Sequence, residues 1–202
     1  MKEQWGLKKM DKVNLIAIVG RSATGKDYLL NAVIEKCPKL NNVIHWTTRP
    51  KRSPDENTYF FISEEDFLEK KKNQEFISVT TFRDWHYGIT FDCFDYTKVN
   101  IGIFNPVELN YLYRIYGNKF NLIVIEVIAD PIERYKRSIN RLASNPLTLF
   151  DEEAVKEVCR RNKADEEDFK LIENLPKYQL NSDNKDNVAF ICGVAYALGR
   201  LG

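Results

Sequence analysis

A single seven-residue stretch limits the folds that this 202-residue chain can adopt. It has the glycine and lysine spacing of a phosphate-binding P-loop and reads Gly20-Arg21-Ser22-Ala23-Thr24-Gly25-Lys26. The preceding run of branched apolar residues, Val13–Val19, is typical of a strand buried on both faces. Asp27–Lys36 follows with apolar residues at helical spacing and ends before Pro38. Strand, glycine loop and helix in this order predict the first βαβ unit of a parallel α/β sheet.

The stretch Gly20–Asp27 is predicted to bind the phosphates of ATP. Gly20 and Gly25 permit a turn whose backbone N–H groups surround phosphate oxygens, and the N-terminus of the following helix adds partial positive charge. Lys26 is expected to reach the β- and γ-phosphates and to act in catalysis. The alternative is a plain turn between a strand and a helix, and the position of the motif weighs against it.

Asp27 stands where P-loops usually carry a serine or threonine that holds magnesium. Its carboxylate is predicted to be a ligand of the Mg²⁺ that accompanies ATP, although it also brings negative charge close to the triphosphate. The alternative is that Asp27 only stabilises the N-terminus of its helix.

The rest of the chain alternates strands and helices around one insertion. Residues 43–90 predict a small mixed β unit, with strands at Val43–Thr47, Tyr59–Ile62, Phe76–Phe82 and His86–Thr90 and a capped helix at Ser63–Lys72. The parallel pattern then resumes, with strands at Val99–Phe104, Leu122–Ile128 and Tyr178–Leu180 and helices at Pro106–Tyr116, Pro131–Leu142, Asp151–Glu173 and Val188–Leu201. We predict one domain over residues 1–202, with its core in 13–42 and 91–202.

Composition excludes several classes of protein. A formal net charge of +1 argues against a general binder of nucleic acid, and the chain has no apolar run of membrane-spanning length. The four cysteines are far apart in sequence, which favours free thiols and a reducing, cytoplasmic location. Only two histidines are present and neither neighbours a nucleophile motif, so neither a catalytic triad nor a zinc site is expected.

A second motif follows the second predicted strand and reads Thr47-Thr48-Arg49-Pro50-Lys51-Arg52. Together with the P-loop it resembles the guanylate kinase family, and the likeness continues through Asp55-Glu56-Asn57, Tyr59-Phe60-Phe61, Glu75-Phe76-Ile77 and Tyr87-Gly88. The resemblance implies a P-loop nucleoside monophosphate kinase fold: a parallel sheet flanked by helices, an insertion at 43–90 that binds the nucleoside monophosphate, and a helical lid near 137–161.

The resemblance also implies roles for particular residues. Arg49, Arg52, Tyr59 and Tyr87 match the ligands of the acceptor phosphate, and two arginines can hold a phosphate as a clamp. The positions that read guanine differ: Ser78 replaces a glutamate and Ile89 replaces a small hydroxyl residue, so the base specificity is expected to differ. His45 aligns with a serine near the base and is either a base contact or a packed strand residue.

Further likenesses lie toward the C-terminus. Arg137, Arg141 and Arg161 match the lid arginines that stabilise the transferring phosphoryl group, and their alternative is a solvated basic face. Asn181 matches a contact to the adenine of ATP. The stretch Ile101–Asn105 lacks the family's acidic pair, and we hypothesise that metal coordination has moved to Asp27.

These expectations support three functions. The first is an ATP- and Mg²⁺-dependent kinase of a nucleoside or deoxynucleoside monophosphate, with GMP or dGMP as the family default. The second is a non-catalytic guanylate kinase-like module that binds nucleotide or protein, and the third is a kinase of another small phosphorylated acceptor. The sequence does not determine the oligomeric state.

Overall fold

The computed structural model describes residues 12–82, 84–143 and 152–199. In chain order the elements are β1 (Val13–Gly20), α1 (Lys26–Lys36), β2 (Asn41–Asn42), β3 (Trp46–Thr47), β4 (Phe60–Phe61), α2 (Glu64–Lys72), β5 (Phe76–Phe82), β6 (Trp85–Thr90), β7 (Asn100–Ile103), α3 (Pro106–Tyr116), β8 (Phe120–Ile128), α4 (Pro131–Ala143), α5 (Glu152–Lys170), β9 (Tyr178–Asn181) and α6 (Asn187–Gly199). The strands form two sheets, and the predicted α/β class is confirmed.

The main sheet has five parallel strands in the order β2-β7-β1-β8-β9. Strand β1 lies at its centre, and every residue from Val13 to Gly20 pairs with β8, in a register that runs from Phe120 to Val127. Ile16, Ala17 and Ile18 are fully buried, which explains why this strand reads as a continuous apolar run. The P-loop therefore leaves the carboxyl end of the central strand.

Helices cover both faces of the main sheet. On one face Ile16 and Ile18 pack in a cluster with Val33 of α1 and Ile191 of α6. On the other face alternate residues of β1 join a cluster that contains Leu109 and Leu112 of α3 and Phe169 of α5. This division follows from the two-residue period of a strand.

The smaller sheet has the strand order β4-β3-β6-β5 and is formed by residues within the predicted insertion. Phe67 of α2 is fully buried and stacks on Phe76 of β5. Gly88 of β6 lies directly against these rings, because a Cβ there would come within 2.6 Å of Phe76. Helix α2 is thereby fixed on one face of this sheet.

The predicted strand Val43–Thr47 is wrong as a single element. The Val43 N–H donates to the carbonyl of Ile101 in the main sheet (2.8 Å), whereas the His45 carbonyl accepts from Phe60 in the smaller one (2.8 Å). The chain crosses between the two sheets within three residues: β2 ends at Asn42, before the predicted segment, and β3 covers only Trp46–Thr47.

The prediction that all four cysteines are free thiols is also wrong, because Cys37 and Cys192 form a disulfide. Cys37 ends α1 and Cys192 lies in α6, and the two helices pack on the same face of the sheet. The pair is 155 residues apart in sequence, so their spacing gave no sign of it. Cys93 and Cys159 are free.

None of the helices in the described ranges is long and apolar enough to cross a membrane.

Candidate functional site

The P-loop connects β1 to α1 through backbone that only some residues adopt easily. A Cβ on Gly20 would lie 2.9 Å from the Val127 carbonyl oxygen, so glycine is required where the strand ends. Gly25 has a φ of 87°, and Ala23 has a φ of 63° without being glycine. A left-handed conformation costs an L-residue ~1–2 kcal/mol, so the surroundings must hold Ala23 in place.

The loop leaves the first turn of α1 open to a ligand. Gly25 is the N-cap and supplies no side-chain hydrogen bond, so backbone N–H groups at this end are available to phosphate oxygens. Within the loop, the Thr24 hydroxyl donates to the Arg21 carbonyl (2.9 Å) and the Thr24 side chain is buried. These features suit a pocket for an anion at the N-terminus of a helix.

Lys26 and Asp27 open the helix side by side. The Lys26 Nζ lies 4.0 Å from a carboxylate oxygen of Asp27, and the Asp27 side chain is 79% exposed. Among the described residues, no group of three His, Cys, Asp or Glu side chains is arranged to hold a metal ion.

Two helices reach across to the P-loop and hold Ser22 by its backbone. The Ser22 N–H donates to Oδ2 of Asp165 on α5 (2.7 Å), and Nε of Arg134 on α4 donates to the Ser22 carbonyl (3.0 Å). Arg134 also donates to Asn162 (2.7 Å) and lies 3.5 Å from Asp165. Burial lowers the pKa of Arg134, and the Asp165 carboxylate opposes that effect. We call this group the Arg134–Asp165 pair.

The side chain of Arg21 points away from the centre of the loop. Its guanidinium lies over the ring of Phe169, 4.6 Å from the centroid, and lines a cavity of about 450 Å³ together with Glu126 and Lys177. Within that cavity Lys177 is 3.6 Å from Glu126. Any part that Arg21 plays in binding ATP from this position comes from its backbone.

Arg49, the first predicted acceptor-phosphate ligand, is already paired with a carboxylate. Its guanidinium is bound by both oxygens of Glu56, at 2.5 and 3.3 Å, and the residue is only 4% exposed. Glu56 also accepts from the backbone N–H of Arg52 (2.6 Å). The hydrogen bond from Arg49, followed by that from the Arg52 backbone, lowers the pKa of Glu56 to about 2. Although burial disfavours the charge on Arg49, the ion pair outweighs it and raises the pKa of Arg49.

The two predicted tyrosines stand beside this arginine. The rings of Tyr59 and Tyr87 meet edge to face at 5.7 Å, and the Arg49 guanidinium lies 5.4 Å from the ring of Tyr59. Burial raises the pKa of Tyr59, and the charges of Tyr87 and Asp27 raise it further. Arg52 is exposed.

The predicted base-reading positions lie next to one another on the smaller sheet. Ser78 of β5 pairs directly with Ile89 of β6, and both are buried. His45 is buried too, and its Nε2 lies 3.0 Å from a carboxylate oxygen of Glu108 on α3. The His45 ring also meets Phe104 edge to face at 5.2 Å. The structure thus gives His45 a packed, hydrogen-bonded place and adds a carboxylate that the sequence did not indicate.

Asn105 sits between the two sheets. Its side-chain oxygen accepts from the Glu108 N–H (2.8 Å) and caps α3, and its amide donates to the Thr80 hydroxyl (3.3 Å). In this position its oxygen is committed to the helix rather than to a metal ion.

The predicted lid residues Arg137 and Arg161 have different partners in the structure. Arg137 donates to the Ser182 hydroxyl (3.2 Å) and to Asp183 (3.0 Å), directly after Asn181, so this arginine and the predicted adenine contact are neighbours. Arg161 is instead paired with Glu157 on its own helix (2.7 Å). Arg141 belongs to α4, but its side chain lies outside the described part of the chain.

Four residues of these arrangements were not identified as functional from the sequence. They are Glu56, Glu108, Arg134 and Asp165. Glu56 is only seven residues from Arg49, so a search for acids near the basic motif would have found it. The other three contact residues more than 30 positions away in sequence, so no local pattern indicates their roles.

The chain is similar to known guanylate kinases. The family model described as guanylate kinase matches residues 12–174. A guanylate kinase of Coxiella burnetii is 37% identical over 81 residues, 39% of each chain, and one of Thermotoga maritima is 33% identical over 93 residues, 45% of this chain and 44% of its own. The chain therefore spans about two fifths of the length of these relatives.

Longer matches are more distant. A guanylate kinase of Rubrobacter xylanophilus is 24% identical over 162 residues, 77% of this chain and 85% of its own. The crystal structure of guanylate kinase from Anaplasma phagocytophilum has the same fold, with a TM-score of 0.63 at 17% identity over 93% of this chain and 87% of that one. Since the family model covers most of the sequence, this chain belongs to the guanylate kinase family.

Proposed function

We propose that this protein is an ATP-dependent kinase of a nucleoside or deoxynucleoside monophosphate. The observation that carries the proposal is that the chain has both an open P-loop with Lys26 and a second basic cluster, Arg49 with Tyr59 and Tyr87. The P-loop would position the phosphates of the donor, and the Arg49 cluster would position the phosphate of the acceptor. Phosphoryl transfer needs little from a protein beyond such positioning and neutralisation of charge.

The donor is assigned to the P-loop and the acceptor to the insertion at residues 43–90. Gly20–Asp27 would hold the ATP phosphates, and Asp27 with those phosphates would hold Mg²⁺, which neutralises charge on the transferring group. Residues 43–90 would bind the acceptor, with Arg49, Arg52, Tyr59 and Tyr87 on its phosphate. The Glu56 carboxylate already pairs with the Arg49 guanidinium. The acceptor phosphate would therefore have to share this guanidinium with Glu56 or displace the Glu56 carboxylate from it. The region 137–161 would act as the lid.

A non-catalytic module is the second candidate. It is favoured by the same Arg49–Glu56 ion pair and by the stretch Ile101–Asn105, which offers no carboxylate at the end of β7. The open P-loop with Lys26 favours the kinase, since a module that binds only protein needs no cradle for phosphate.

The test is a coupled ADP-release assay with ATP, Mg²⁺ and a panel of ribo- and deoxynucleoside monophosphates. We expect turnover with at least one acceptor, lost in Lys26→Ala and kept in Lys36→Ala at the far end of the same helix. Turnover with none of them, although the protein binds ATP, would refute the nucleoside monophosphate kinase and leave the non-catalytic module or a kinase of another small phosphorylated acceptor. A preference for guanine would show that other residues compensate for Ser78 and Ile89.

A cytoplasmic location remains part of the proposal. The Cys37–Cys192 disulfide is the observation against it, because such bonds are rare where glutathione keeps thiols reduced. Thiol alkylation in intact cells, followed by mass spectrometry, measures which state is present.

A further inference from the structure

We propose that Arg134 and Asp165 are positioning residues of the donor site, which hold the P-loop in its phosphate-binding shape before a nucleotide arrives. The inference rests on the proposed binding of ATP by the P-loop, but not on any transfer to an acceptor. It concerns two residues that neither the motif nor the lid arginines include.

The pair fixes two successive peptide groups. Asp165 accepts from the Ser22 N–H at 2.7 Å, which holds the peptide before Ser22. Arg134 donates to the Ser22 carbonyl at 3.0 Å, which holds the peptide after it. That second peptide is the one whose rotation sets the φ of Ala23.

Ala23 needs such a restraint. Its φ of 63° is unfavourable for a residue with a Cβ, and strained backbone persists only where neighbouring contacts over-determine it. If the peptide between Ser22 and Ala23 rotated to relieve the strain, the Ser22 carbonyl and the Ala23 N–H would change direction. A carbonyl turned into the loop would oppose phosphate oxygens where N–H groups should meet them.

Charge alone does not explain the pair. An aspartate beside a loop for a polyanion is unfavourable by simple electrostatics, so an attraction model predicts that removing Asp165 tightens the binding of ATP. A positioning model predicts the opposite, because the loss of the hydrogen bond to Ser22 frees the loop. The two models therefore differ in the sign of one measurement.

The same contacts join the two helices that carry proposed lid arginines. Arg134 precedes Arg137 by one turn of α4, and Asp165 follows Arg161 by one turn of α5. Asn162 of α5 accepts from Arg134 as well (2.7 Å). The pair thereby sets the positions of α4 and α5 relative to the P-loop.

The experiment measures the dissociation constant of MgATP by calorimetry for the full chain and four variants. We expect Asp165→Ala to weaken binding about tenfold, which corresponds to ~1.4 kcal/mol. The control Glu167→Ala, an exposed acid two residues away that pairs with Lys170, should stay within twofold. Adding Ala23→Gly to Asp165→Ala should restore most of the affinity, since glycine adopts a positive φ without strain. The fourth variant, Ala23→Gly alone, measures the effect of that change while Asp165 is present.

Either of two results would overturn the inference: binding by Asp165→Ala that is unchanged or tighter, or weaker binding that Ala23→Gly does not restore. If circular dichroism shows that Asp165→Ala does not fold, Arg134→Lys is used instead. This variant keeps the positive charge but loses the several N–H donors of the guanidinium. Its weaker binding must likewise be restored by Ala23→Gly. Unchanged protein that binds MgATP without turnover would refute the kinase and leave this inference standing. Failure of unchanged protein to bind MgATP would refute both.

Discussion

Glu56 shows how one carboxylate can organise two arginines. It binds the guanidinium of Arg49 and the backbone of Arg52, and its pKa is lowered to about 2 from an ordinary value near 4.5. A group with a lowered pKa stabilises the folded state at pH values above its unfolded pKa, and that stability is lost as the pH falls toward the folded value.

The first prediction concerns this pH dependence. Glu56→Gln should be less stable than the unchanged protein at pH 7, and the difference should shrink between about pH 4.5 and pH 2 as Glu56 takes up a proton. Urea unfolding at a series of pH values measures it. Glu69→Gln, an exposed position on α2, is the control. A difference that stays constant down to pH 2 would show that the ion pair does not set this pKa.

The second prediction concerns the buried pair of His45 and Glu108. Glu108→Ala removes the partner of a buried imidazole and should lower the free energy of unfolding by about 1–3 kcal/mol. A double-mutant cycle with His45→Ala, followed by denaturant unfolding, separates this coupling from the loss of each side chain alone. Additive effects would mean that the two side chains do not stabilise each other.

At the scale of elements, the sequence predicts the bounds of a helix or strand well where local signals mark its ends. Helix α3 begins and ends where expected, at Pro106 and Tyr116, because a capping asparagine and a proline at the first turn mark its start. The strand predicted at Val43–Thr47 fails because Val43 bonds to the main sheet whereas Trp46–Thr47 belongs to the smaller one, and these partners are distant in sequence. The P-loop was found by its spacing, whereas Arg134 and Asp165 reach it from distant helices.

A third prediction tests the cap of α3. Asn105→Ala removes the hydrogen bond to the Glu108 N–H and the contact with Thr80, and should cost about 1 kcal/mol of stability. The matched control is Asn110→Ala in the middle of the same helix, where alanine is the better helix former. Thermal unfolding compares the two, and equal effects would contradict a capping role.

For the whole molecule, the disulfide between α1 and α6 is the longest-range covalent restraint described. It closes a loop of 155 residues in sequence separation, and cross-links of this kind typically contribute about 2–4 kcal/mol by restricting the unfolded chain. It also connects the far end of the helix that begins at the P-loop to the C-terminal helix.

The fourth prediction follows from that restraint. Cys192→Ala should lower the free energy of unfolding by about 2–4 kcal/mol under non-reducing conditions and have a much smaller effect once reductant is present. The control is Cys159→Ala, which removes an exposed free thiol. Urea unfolding with and without reductant measures both. If alkylation of the purified protein without reductant modifies all four cysteines, the bond is not formed.

The central position of β1 has a consequence for how the protein is made. Its hydrogen-bonded partners are β7 and β8, which begin at Asn100 and Phe120. At roughly 5–20 residues per second, a ribosome needs several seconds after completing Gly20 to make the first of them. The strand that presents the P-loop therefore waits, unpaired and apolar, while the smaller sheet is synthesised, and a nascent chain released before residue 100 has no partner strand on which to build a nucleotide site.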